Sequence, residues 1–193
     1  MPEEILPGVL HWTAMHPNIR TTVSSYFVTG SATLVDPMRP DGGDVEPERI
    51  VLTTRHHLRD SESFGVPILC HESGLHEFEN GPQVDGFAWG DQLAPDVTAL
   101  EVDAISPDDT ALLVDAGDGA LSIGDAVMHY ADELHFVPDR YMVDEGDDPE
   151  PVKVAIREAL GRLLDQPFDS LLFAHGTPVV GGGKDALRRF VEQ

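Results

Sequence analysis

At 193 residues with 41% hydrophobic content the chain is long enough to bury a substantial core, and no stretch approaches the ~20 apolar residues of a membrane-spanning helix. Twelve Lys and Arg against 35 Asp and Glu give a formal net charge of −23, which excludes the basic surface that nucleic acid or an anionic membrane requires. The single cysteine, Cys70, excludes an internal disulfide, and its place in the apolar run VPILC reads as a packed core thiol. The acidic excess reads as adaptation to a high-salt cytoplasm, with a cationic partner as the competing explanation. The start, MPEEILPGVL, lacks the basic and apolar regions of a secretory signal, so one cytoplasmic domain over residues 1–193 is expected.

In chain order, GVLHWTA, TVSSYFVTG and SATLVDP are short, β-branched or aromatic runs separated by turn formers, and predict a meander of strands. An acidic Gly/Pro-rich loop, RPDGGDVEPE, leads to RIVLTT, a buried strand without alternation. It ends at Arg55-His56-His57-Leu58-Arg59-Asp60, where Asp60 or Ser61 is placed to cap a short helix. VPILCH predicts another buried strand and ESGLHEF a short helix. Strands follow at VTALEV, TALLVD and ALSIGD, the last two joined by Ala-Gly-Asp-Gly, a hairpin signal. From Pro149 to Leu164 the apolar residues Val152, Ile156, Ala159, Leu160, Leu163 and Leu164 line one face of a helix. FDSLLFAHG is a strand and Lys184–Val191 a closing helix. The whole predicts an α/β layering of mixed sheets covered by helices.

Polar residues gather just beyond three apolar strands: Arg55 to Asp60 after RIVLTT, Gly124-Asp125 after ALSI, and His175-Gly176 after LLFA. Sites in layered α/β folds lie at the carboxyl ends of strands, and imidazole with carboxylate suits zinc or iron. Each signal alone is also satisfied by a hydrogen-bonded strand end or a turn.

In this order the three segments, together with SSYFVTGSATLVDP and GVPILCHES, resemble the metallo-β-lactamase superfamily over nearly the whole chain. The resemblance implies a four-layer αββα sandwich and a metal-dependent hydrolase. VLTTRHHLRD stands where that family has its H-x-H-x-D-H motif, and here it is degenerate. The first His position is Arg55, the second His57, the Asp position Arg59 and the last His position Asp60. The expected ligand after VTALEV is absent from Asp103-Ala104-Ile105-Ser106-Pro107-Asp108-Asp109-Thr110. Asp125 and His175 match. The resemblance therefore implies a metal set of His57, Asp60, Asp125 and His175, with Asp60 or Asp125 orienting a water for catalysis.

In an extended segment Arg55, His57 and Arg59 share one face, which would place two fixed cations near the metal position. Three readings stay open: a hydrolase of a small ester or thioester with one zinc or iron ion; a binding or regulatory domain that lost the chemistry; and a metal-free pocket in which Arg55 and Arg59, paired with Asp60 and Asp125, bind a small anion. No protein partner is legible. Among the other histidines, His71 and His135 are those to check for reach into the pocket.

Overall fold

The computed structural model describes residues 1–193. Its amino-terminal half forms β1 (Glu3–Leu6), β2 (Val9–Met15), β3 (Thr22–Val28), β4 (Thr33–Val35), β5 (Arg49–Val51), β6 (Ile68–His71) and β7 (Asp85–Phe87). These hydrogen-bond in sequence order as one sheet, antiparallel up to β4 and parallel from β4 to β7. The second sheet is built from β8 (Gln92–Ala94), β9 (Val97–Glu101), β10 (Thr110–Val114), β11 (Ala120–Ile123) and β14 (Ser170–Phe173), in the order β14-β11-β10-β9-β8. Between them in sequence lie the hairpin β12 (Met128–Tyr130) with β13 (Glu133–His135) and helix α1 (Glu150–Leu163); helix α2 (Gly183–Val191) follows β14. Strands β11 and β14 are parallel, which demands a long crossover, and α1 is that crossover.

Side-chain alternation along the strands produces the layers. In the first sheet Tyr26, Val28, Val35 and Val51 point to the second sheet, while the intervening Phe27, Leu34 and Ile50 point away. In the second sheet Leu112, Val114 and Leu172 face the first sheet, while Leu121, Ile123, Leu171 and Phe173 face the helices. The helical face Ile156, Ala159, Leu160 and Leu163 of α1 lies on that outer surface beside Leu187 and Phe190 of α2. Over the first sheet the outer layer is thinner. Phe78, from the short helix read at ESGLHEF, which is a 3-10 stretch over Glu72–Phe78, covers a cluster with Trp12, Ile68 and Cys70. The architecture is a four-layer αββα sandwich with one helical layer reduced to 3-10 turns. No helix is long and apolar enough to cross a membrane. The strand signals missed β1, β7, β8, β12 and β13, of which four are only three residues long.

The two sheets are stitched together at one end. Ser24 N donates to Ala174 O at 2.9 Å. The fully buried Tyr26 hydroxyl donates to Phe173 O at 2.8 Å and accepts from Phe173 N at 3.0 Å. Removing that hydroxyl strands two buried backbone groups, so Tyr26→Phe is expected to lower the unfolding free energy by about 1–3 kcal/mol in urea titrations. An unchanged midpoint and slope would show that the stitch is unimportant.

Candidate metal centre

The site is assembled where four strands end. Beyond β5 the chain runs through Thr53 and Thr54 into a 3-10 turn, Arg55–His57. Strand β4 runs parallel to β5 with Val35 opposite Val51, which sets Asp36 beside Thr53. Asp36 Oδ1 accepts Thr53 N at 2.8 Å, and its Oδ2 accepts Thr53 Oγ1 at 2.5 Å. The same Oδ2 accepts the Nδ1–H of His57 at 2.9 Å. A buried carboxylate thus fixes the ring of His57 and turns its Nε2 the other way.

Asp125 and His175 arrive from the other sheet by register alone. In the parallel β11/β14 pair Ile123 stands opposite Phe173, so the residues two further on fall side by side. Two glycines permit the approach. A Cβ at Gly124 would lie 2.7 Å from Thr53 Oγ1, and one at Gly176 would lie 1.9 Å from the His129 carbonyl oxygen. Gly176 also holds φ +94°, a conformation that favours glycine.

Asp125 Oδ1 lies 3.2 Å from His57 Nε2 and 3.2 Å from His175 Nε2. Neither contact has the geometry of an N–H···O hydrogen bond, and this oxygen is buried without any hydrogen-bond partner. One ligand atom from each of the three residues lies within 4.8 Å of the others. Bonds of about 2.0–2.1 Å in a tetrahedral zinc site place donors roughly 3.3 Å apart, close to the two measured separations. Two imidazole nitrogens and one carboxylate oxygen suit zinc or iron, and a carboxylate on the far nitrogen of His57 is the support such ligands usually have. The residues present fit one divalent ion.

The electrostatics agree. Burial and the Arg59 guanidinium push His57 down, yet the Asp36 and Asp125 carboxylates outweigh them and raise it to about 9. Burial would raise Asp125, but the charge of His57 and the contacts of both imidazoles hold it well below the usual carboxylate range. Without metal, a proton on His57 therefore sits between two carboxylates.

No family model matches the sequence, and no curated protein sequence matches it. Solved structures do match. A metallo-β-lactamase family protein from Thermus thermophilus superposes with TM-score 0.66 over 98% of this chain and 80% of its own, at 17% identity. A β-lactamase domain protein from Burkholderia ambifaria gives TM-score 0.69 over 98% of this chain and 71% of its own, at 17% identity. A metallo-β-lactamase from Novosphingobium pentaromativorans gives 0.62 over 99% and 85%, at 18% identity. The chain has the metallo-β-lactamase fold.

On that fold His57, Asp125 and His175 come together, while the other expected positions do not join them. Asp60 is outside the cluster: its carboxylate accepts the Arg39 amide at 2.8 Å, it makes no cap hydrogen bond, and it does not line the central cavity. Arg55 pairs with Asp108, which also accepts its backbone N–H at 2.5 Å. Arg59, held at φ +43°, donates through Nη1 to Ser24 O at 2.9 Å and Asp36 O at 2.6 Å. Neither arginine forms an ion pair with Asp60 or Asp125. The segment is a 3-10 turn rather than the extended run that was expected, yet Arg55, His57 and Arg59 all line the central cavity, so both fixed cations stand near the three clustered residues. His71 stacks on Trp89 with ring centroids 4.0 Å apart, and His135 bonds Tyr130 O at 3.1 Å; neither lines the cavity.

Four contributors escaped the sequence reading. Asp36 closes the strand TLV, and the same strand-end logic that singled out Asp125 applies to it. His16 and His56 line the cavity. So does Asp109, whose Oδ2 accepts the Ile105 and Ser106 amides at 2.9 Å each. Burial drives Asp109 up, the two amide bonds oppose it, and the charges of Asp125 and Asp108 help bring it to about 7.

His57 gives a pH signature. Its folded value of about 9 lies above the ordinary 6.5, so the stabilisation is complete below 6.5 and is lost as pH rises through about 9. That interval corresponds to about 3 kcal/mol for this buried group. Urea unfolding of chelator-treated protein should show this loss between pH 6 and 10, and His57→Asn should flatten it. A wild-type slope that survives in His57→Asn would contradict the assignment.

Proposed function

We propose that the protein is a hydrolase of small ester, thioester or similar substrates that works with a single divalent metal held by His57, Asp125 and His175. The observation that supports this most is the buried Asp125 Oδ1, left without a hydrogen bond between two imidazole nitrogens. A bound zinc or iron ion would polarise a carbonyl or phosphoryl oxygen and lower the pKa of a water molecule from about 15.7 toward 7.

The chain's own groups set the terms. Asp36 keeps His57 Nδ1 occupied, so only Nε2 is available to a ligand, and the extra proton on that nitrogen must leave first. Arg59 supplies a fixed cation between Asp36 and Asp125 that opposes a second ion. Asp109, raised to about 7 and lining the same cavity of about 1000 Å³, takes the proton-accepting role, beside Asp125, which the resemblance offered together with Asp60 for orienting the water.

Two measurements test the reading. Protein dialysed against zinc should retain one equivalent by elemental analysis, while His57→Ala, Asp125→Asn and His175→Ala each lose it. Retention of two equivalents, or of one in all three variants, would overturn the ligand set. In a panel of chromogenic esters and thioesters, Asp109→Asn should keep the metal and lose about 10²-fold or more in kcat. Asn preserves an acceptor for the Ile105 and Ser106 amides, so an unchanged rate would remove Asp109 from the reaction.

A further inference from the structure

The cavity above the three ligand residues is charged against the grain of the molecule. Of the chain's 12 Lys and Arg residues, Arg20, Arg55, Arg59 and Arg140 line it, as against only Asp109 and Asp125 of its 35 acidic residues. On a surface carrying net −23 such segregation needs a reason. Arg55 and Arg59 have internal partners: Asp108 for the first, the Ser24 and Asp36 carbonyls for the second. The outer pair has none of these ties. The chain's arginine ion pairs are made by Arg49, Arg55, Arg162 and Arg188, and Arg20 and Arg140 make none.

The backbone of Arg20 and the side chain of Arg140 are set in place by their surroundings. Arg20 occupies the tight turn between β2 and β3 at φ +53°, with its N–H on His16 O at 2.9 Å. Arg140 lies in the 3-10 turn Asp139–Tyr141, its guanidinium 4.6 Å above the Tyr141 ring. Stacking holds the planar fork, and apart from a long Nη2 contact to the Tyr141 hydroxyl at 3.4 Å its donors are left to meet an anion. The lip between them is apolar. Ile19, Tyr130 and Tyr141 are 50%, 41% and 54% exposed, and they are three of the seven large hydrophobic side chains left open on the whole surface.

We propose that Arg20 and Arg140 select substrates carrying an anionic group, a carboxylate or a phosphate, on an apolar or aromatic body that rests on Ile19, Tyr130 and Tyr141. This deepens the hydrolase reading by naming its substrate class, and it rests on this cavity being the substrate site rather than on the metal. The anion is held at the mouth and the bond to be cut lies toward Asp125 and His175. Long-range repulsion from the acidic surface disfavours unspecific anion uptake, so saturable binding reports this site.

Binding to chelator-treated protein separates the inference from the metal. Phenylacetate and phenyl phosphate are the anionic probes, and phenylacetamide is the neutral match to phenylacetate. In thermal shift at neutral pH and matched ionic strength, at least one anionic probe should raise the melting point saturably, and phenylacetamide should not. Which anion binds more tightly separates a carboxylate from a phosphate site. Arg20→Gln with Arg140→Gln should weaken the preferred anion tenfold or more. Both side chains are exposed, and an unchanged unliganded melting point confirms folding. Equal stabilisation by phenylacetamide, no response to either anion, or undiminished binding in the double variant would overturn the proposal. Loss of zinc binding in the ligand variants with anion binding intact would leave it standing, so the two readings fail separately.

Discussion

One carboxylate oxygen organises the cavity end of this molecule. Asp125 Oδ1 is withdrawn from water and touched by two imidazole nitrogens at 3.2 Å, yet satisfied by neither. A buried acceptor in that condition is costly unless something positive is shared with it. In the metal-free protein the positive charge is the proton on His57, raised to about 9 by the carboxylates on either side. A divalent ion is the other solution, and the geometry accommodates both. The backbone serves this arrangement: the parallel register of β11 and β14, the side-chain-free approaches at Gly124 and Gly176, and the cross-sheet bonds of Ser24 and Tyr26 all fix where the three ligand atoms meet.

Charge balance around that oxygen favours one ion over two on the proposed reading. With His57 protonated, Asp36 and Asp125 balance His57 and Arg59, and the buried cluster is neutral. Exchanging the proton for one dication leaves a single positive charge, which a nucleophile or an anionic substrate can offset. A second dication would add two more charges against a guanidinium that cannot lose its proton. On the proposed reading Arg59 opposes a second ion, and it stands in a backbone conformation, φ +43°, that side chains seldom adopt.

Much of this was readable from the chain, and the failures have physical causes. Strand and helix patterns carried the α/β layering, with residues such as Phe27 and Val28 alternating between two apolar clusters, and the family resemblance implied the four-layer sandwich. His57, Asp125 and His175 were legible as candidates because Asp125 and His175 lie two residues beyond apolar strands and His57 lies in the polar segment that follows another. Asp60 was carried into the metal set by its place in the resembled motif, but the chain makes tight 3-10 turns there that direct its carboxylate to the Arg39 amide. Asp108 and Asp109 were passed over because no local pattern reveals that one neutralises Arg55, 53 residues earlier, and the other enters the cavity. Pairings between distant segments are tertiary facts, and composition carries no trace of them. The same holds for Arg20 and Arg140, which are ordinary in sequence and significant only because the fold sets both beside one cavity.

The exchange of proton for metal at His57 is the most direct consequence of the account. Calorimetric zinc titrations at neutral pH, run in buffers of different ionisation enthalpy, count the protons released per ion bound. The account gives one zinc per chain with about one proton expelled, the proton that a group titrating near 9 still carries at neutral pH. Zinc binding with no proton release, or proton release that persists undiminished in His57→Asn, would contradict it.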